Sequence, residues 1–137
     1  MSDIIVQMKD QNGNNLYPVG VGDFNNYSTS EQRIGTWIDG KPLYRKVVDC
    51  GAAPNNTTKQ VNTGISYTNS TFVGLIGMAV GSSYTFPING VRPRDNLGSS
   101  IGAYITNTSG VAYLTIDTTV DRSAWNVYIT LTYTKNT

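Results

Sequence analysis

The sequence predicts an all-β protein, an antiparallel β-sandwich of which a jelly roll is one form. Three observations carry this. The run Trp125 to Thr134 alternates cleanly, with Trp125, Val127, Ile129, Leu131 and Tyr133 opposing Asn126, Tyr128, Thr130, Thr132 and Thr134, the period of a half-buried strand. Two extended runs, Arg33 to Ile38 and Leu43 to Asp49, flank Asp39-Gly40-Lys41-Pro42, where Asp-Gly tolerates the positive φ of a tight turn and Pro42 fixes φ on the way out. Turn signals recur at near-regular short intervals along the chain, and no stretch has a convincing helical period.

Taken in order, residues 1–26 read as an initial strand and linker, and residues 27–137 as the sandwich. Asp3 to Lys9 is a short apolar strand, and Asp10 to Asn15 is a turn centred on Asn12-Gly13. The Asp/Asn spacing of that turn is a poor calcium loop, because its Gly falls too early and no bidentate Glu follows. Pro18 to Asn26 is irregular linker. In the hairpin, Leu43, Arg45, Val47 and Asp49 oppose Tyr44, Lys46, Val48 and Cys50. After it come a loop at Gly51 to Thr58 and a strand at Lys59 to Tyr67, with Val61, Thr63 and Ile65 on one face.

Thr71 to Val80 breaks the pattern. Phe72, Gly74, Ile76, Met78 and Val80 would form one face and Val73, Leu75, Gly77 and Ala79 the other, and both are apolar. A sandwich strand turns only one face to its own core. The sequence therefore predicts that Val73, Leu75 and Ala79 meet another subunit, or are covered by the Gly51 to Thr58 loop or the N-terminal segment. A short strand follows at Tyr84 to Ile88, then the polar stretch Asn89 to Ser100. Ile101 to Thr106 and Val111 to Asp117 pair across a turn at Asn107 to Gly110, and Thr118 to Ser123 is loop.

Composition narrows the chemistry. The 137 residues carry a net charge of +1 and contain no His and one Cys. The chain therefore offers no basic footprint for nucleic acid, no apolar run that spans a bilayer, and no imidazole base or ligand. One Cys excludes an intrachain disulfide and a Cys-based zinc site; Cys50 reads as a small buried hydrophobe. Nine carboxylates remain, but most fall at turns or strand ends, and no pair is nominated for glycosidase chemistry. The expectation is a non-enzymatic protein without metal or cofactor. No secretory signal is read at the N-terminus, so the Asn-x-Ser/Thr triplets at Asn26, Asn56, Asn69 and Asn107 follow from composition.

Tyr27-Ser28-Thr29-Ser30-Glu31-Gln32 leading into Gly35-Thr36-Trp37-Ile38-Asp39-Gly40-Lys41-Pro42-Leu43-Tyr44 resembles a pattern in the distal domains of bacteriophage tail fibres and receptor-binding proteins. Met8 to Val19 is similar to the linkers that precede such domains, and Val127 to Lys135 to their last strand. Gly51 to Asp121 carries no part of the resemblance, and receptor-contacting loops are expected there. The resemblance implies a homotrimer that works alongside other tail or fibre proteins. It implies a place in the virion, or in the host cytoplasm before assembly, and a host-surface receptor such as a glycan.

Sugar recognition asks for aromatic faces and for planar polar groups that pair with neighbouring hydroxyls. The candidates are Arg92, Arg94, Asp95 and Asn96 in the polar stretch, with Tyr27 (beside Asn25 and Asn26) and Tyr67 (beside Asn69) as further contacts. Trp37 and Trp125 are expected in the core. The alternative is a structural virion protein that trimerises and caps a fibre without binding a ligand. A carbohydrate-binding module of cellular origin is a third reading, weakened by the missing signal peptide.

Overall fold

The computed structural model describes residues 26–89 and 100–136, together with the backbone of two short strands, β1 (Met8–Lys9) and β2 (Asn15–Leu16), which pair antiparallel. Eight more strands follow: β3 (Gln32–Thr36), β4 (Pro42–Ala52), β5 (Thr58–Ser66), β6 (Ser70–Val80), β7 (Thr85–Pro87), β8 (Ile101–Thr108), β9 (Val111–Thr118) and β10 (Asn126–Lys135). They form a five-stranded sheet in the order β3-β4-β10-β6-β7 and a three-stranded sheet in the order β5-β9-β8. Every ladder pair between these strands is antiparallel. No helix occurs among the described residues. The expected all-β sandwich is what the chain forms.

β10 organises the larger sheet. Val127, Ile129, Leu131 and Tyr133 are all fully buried, as their alternation requires. They join Val48 and Cys50 of β4, Ala79 of β6, Ile65 of β5, and Leu114 and Ile116 of β9 in one core between the two sheets. An isolated parallel bridge between Asn89 and Gly102 ties the end of β7 to β8 along one edge. Trp125 packs on this core, as expected; Trp37 does not, being half-buried at the hairpin turn.

The hairpin turn begins earlier than the sequence suggested. Trp37 N–H donates to Lys41 O at 2.8 Å and Gly40 N–H to Trp37 O at 2.9 Å. Ile38, Asp39 and Gly40 thus form a three-residue loop, and Pro42 already belongs to β4. The positive φ falls on Gly40 alone, at 87°, which selects a type I turn closed by a left-handed residue over a two-residue mirror-image turn. Ile38 is lifted out of the strand and is 92% exposed.

The larger correction concerns β6. Its register against β10 shifts between Thr132 and Tyr133: Phe72 lies opposite Tyr133, but Gly74 opposite Thr132. One extra residue on β6 inverts the alternation at that point. Phe72 therefore packs on the core together with Leu75, while Gly77 and Ala79 are buried. Leu75 and Ala79, expected with Val73 at a subunit interface or under a covering segment of the chain, face their own core instead, and Val73 is half-buried. The outward face is Ile76, Met78 and Val80, exposed by 75%, 39% and 40%.

Candidate functional site

Arg92, Arg94, Asp95 and Asn96 lie outside the described residues. The other two nominated residues, Tyr27 and Tyr67, are described. Tyr27 stands on the outer side of β4 with the Arg45 guanidinium 3.8 Å over its ring, which gives it a packing partner. Arg45 also donates to Gln32 Oε1 at 3.2 Å. Tyr67 sits in the β5–β6 turn, its ring tilted against Phe72 at 6.2 Å. Its N–H is tied to Gly110 O at 2.8 Å.

The segments that carry these two tyrosines nevertheless meet. A depression of about 350 Å3 is lined by Glu31, Gly64, Ile65, Ser66, Asn69, Ser70 and Lys135. Glu31 follows Tyr27 by four residues, while Ser66 and Asn69 flank Tyr67. The Glu31 segment is placed by Ser28, whose hydroxyl caps Ser30 N–H at 3.0 Å and whose carbonyl accepts from Val47 N–H of β4 at 2.9 Å. The opposite wall comes from a break in the β5–β9 ladder between Asn62 and Ile65. There Thr63 turns its hydroxyl onto Ala112 O at 2.7 Å, and its own carbonyl accepts from Lys46 Nζ at 2.6 Å.

Two lining residues, Glu31 and Lys135, are brought together in space and not in sequence. Lys135 Nζ donates to Glu31 Oε2 at 2.7 Å, and Tyr133 Oη donates to Glu31 Oε1 at 2.5 Å. Partial burial by itself would raise the Glu31 carboxyl, but the bonds from Lys135 and Tyr133, with the charges of Lys135 and Lys46, outweigh it. The carboxyl is held below its ordinary value. Burial, then the bond to Glu31, pushes the Tyr133 hydroxyl far up, so the shared proton stays on Tyr133. Stacking holds that ring in place, with Tyr44 at 5.9 Å and Phe72 at 5.7 Å. Lys135 in turn sits 4.6 Å over the Tyr44 ring.

Around this pair the depression offers ungrouped polar atoms. The side chains of Asn69 and Ser70 make no hydrogen bond among the described residues. A fixed carboxylate accepts, an ammonium donates, and a carboxamide does both. Side by side, they match the donor and acceptor needs of neighbouring hydroxyls. Among the described residues no three of Cys, Asp and Glu gather as a metal-ligand set, and no helix is long and apolar enough to cross a membrane.

Sequence reasoning named Asn69 only as the neighbour of Tyr67 and missed Glu31 and Lys135. A usable signal was present, because Glu31 is the single glutamate of the chain. Its partners, however, lie 102 and 104 residues away. No family model matches this chain, no curated protein matches it in sequence, and no solved structure matches it in fold.

Proposed function

We propose that this chain is the non-enzymatic tip domain of a phage or prophage tail fibre, attaching to a host-surface glycan through the Glu31–Lys135 depression. The observation that carries the binding reading is the fixed pair itself. Glu31 and Lys135 hold an acceptor and a donor 2.7 Å apart in a depression where the side chains of Asn69 and Ser70 make no hydrogen bond among the described residues. Two adjacent sugar hydroxyls present the complementary pattern, one donating to the carboxylate and one accepting from the ammonium. The tail-fibre assignment rests on the sequence resemblance of the hairpin, of Met8 to Val19 and of Val127 to Lys135. Arg92, Arg94, Asp95 and Asn96 remain proposed contacts on the strength of their side chains.

The same reading includes a homotrimer joined by the outer face of the larger sheet. Ile76, Met78 and Val80 continue across the ladder to Tyr128, which is 42% exposed, and Thr130. The ten residues of β10 extend about 33 Å, and five strands about 20 Å. Because β3 has five residues and β7 three, the face is smaller than that rectangle of about 660 Å2 and falls short of the ~800 Å2 per partner of a standard interface. That apolar face is also what favours the alternative, a structural cap that trimerises and binds nothing.

A glycan array probed with the intact protein, followed by host-cell attachment, separates the two. Binding that Glu31→Gln, Lys135→Met or Asn69→Ala weakens without unfolding the protein supports the receptor-binding reading. If nothing on the array or on cells is bound by a folded trimer, the cap reading takes its place. Loss on Arg94→Ala or Asp95→Ala with the depression variants intact would move the site to the polar stretch.

A further inference from the structure

We infer that the aromatic ledge of Tyr84, Phe86 and Trp125 is a second saccharide site, taking the apolar face of a hexopyranose ring on Tyr84. The ledge stands at the opposite end of β10 from the depression. Trp125 directly precedes that strand and Lys135 ends it, which separates the two sites by about 30 Å.

Three rings touch there: Tyr84 and Trp125 at 5.5 Å, Phe86 and Trp125 at 5.9 Å, and Tyr84 and Phe86 at 6.2 Å. The backbone beneath Tyr84 is pinned twice, because its carbonyl accepts from Gly81 N–H at 3.2 Å and from Trp125 Nε1–H at 3.3 Å. Here Tyr84 is held in place yet remains 58% exposed. Arg122 brings a planar donor group to the same spot, its guanidinium 5.0 Å over the Trp125 ring and 5.6 Å over Phe86. The residue before it in the chain, Asp121, is exposed, its carboxylate held by Ser123 N–H at 2.9 Å and Ser123 Oγ at 2.6 Å.

An exposed aromatic ring beside a guanidinium suits a ring that has one C–H face and a rim of hydroxyls. Stacked nucleobases would also use the aromatic face. They come with phosphates, though, and a net charge of +1 gives them no electrostatic footprint.

The test uses Trp125 as reporter in the full chain carrying Trp37→Phe, titrated with the methyl glycosides of glucose, galactose, mannose and N-acetylglucosamine. A saturable change in Trp125 emission with at least one glycoside is expected. Tyr84→Ala should weaken that binding about tenfold, the scale of one lost aromatic contact, while Tyr84→Phe retains it. Should Tyr84→Ala disturb the fold, Tyr84→Leu is the second probe, keeping apolar bulk without an aromatic face, and it should weaken the binding as Tyr84→Ala does. Glu31→Gln should leave the ledge titration unchanged, so loss of the depression reading does not remove this one. The inference is overturned by a flat titration with all four glycosides. It is equally overturned by wild-type binding in Tyr84→Ala, or by a response to a dinucleotide but to no glycoside.

Discussion

Tyr133 Oη meets Glu31 Oε1 at 2.5 Å although 102 residues separate them along the chain. The contact joins the end of the closing strand to the segment ahead of the first long one, and so fixes the Glu31 wall of the depression to β10. Tyr133 is fully buried and Glu31 is not. The core thereby determines where the carboxylate stands. Removing the hydroxyl with Tyr133→Phe should cost about 1 kcal/mol, the low end for a bond to a charged group, reduced because solvent reaches Glu31. Urea unfolding measures it, and an unchanged midpoint would show that the pair does not couple.

The same carboxylate sets a pH dependence. Glu31 titrates below its ordinary value when folded. Its ionised form therefore contributes stability that is fully present above about pH 4.3, the unfolded glutamate value. That contribution is lost as the pH falls through the lowered folded value. Glu31→Gln should be less stable than the parent at pH 7, and the gap should close on acidification towards pH 3. Thermal melts of both proteins across that range read the outcome; a gap that widens in acid contradicts the assignment.

Gly77 lies where the core leaves no room. A methyl built on it would fall 2.9 Å from Ile129 Cγ1 and 3.0 Å from Ile88 Cγ1, and Ile129 is fully buried. In an open strand, Gly→Ala stabilises by about 0.4–1 kcal/mol through the unfolded chain. Here overpacking should win, with Gly77→Ala destabilising by about 1–3 kcal/mol. Denaturant titration gives the sign directly.

Cys50 should be inert. It is 3% exposed, and burial pushes its thiol up to about 11 despite the nearby Lys59 ammonium. Lys59 is itself held by the carbonyls of Cys50 at 2.7 Å and Ala52 at 2.9 Å. A thiol-specific reagent at pH 8 should label the unfolded chain and leave the native one untouched, since the thiolate is the nucleophile. Rapid labelling of the folded protein would place Cys50 at the surface.

How much of this was legible in the sequence follows from how local each signal is. β10 and the Ile101–Thr118 hairpin were readable because alternation and turn residues are near-neighbour properties. The side that Ile76 and Leu75 take was not readable. It depends on a bulge opposite Thr132 and Tyr133, a property of the pairing between two strands and not of either alone. Gly40 marked the hairpin, but whether its turn took in Ile38 depended on which residue carried the positive φ. The depression is assembled from residue 31, residues 64–70 and residue 135, and no window of sequence contains it. The segments that carry Tyr27 and Tyr67 arrive at the depression, while the rings themselves lie against Arg45 and Phe72.

The inversion of β6 yields the most discriminating pair of variants. Leu75 and Ile76 are adjacent in the chain and similar in size, but Leu75 packs on the core and Ile76 is 75% exposed. An aspartate at Leu75 would bury a charge beside Leu131, its partner across the ladder, and should unfold the protein at any concentration. An aspartate at Ile76 meets water in a lone subunit and should change its stability by no more than about 0.5 kcal/mol. In an assembly joined by that face, the same change places several like charges at a buried contact and should dissociate it. Sedimentation at micromolar concentration therefore separates the possibilities. A trimer that Ile76→Asp converts to a folded monomer places the interface on the outer sheet. A trimer that survives Ile76→Asp puts the interface elsewhere, and a wild-type monomer ends the trimer proposal.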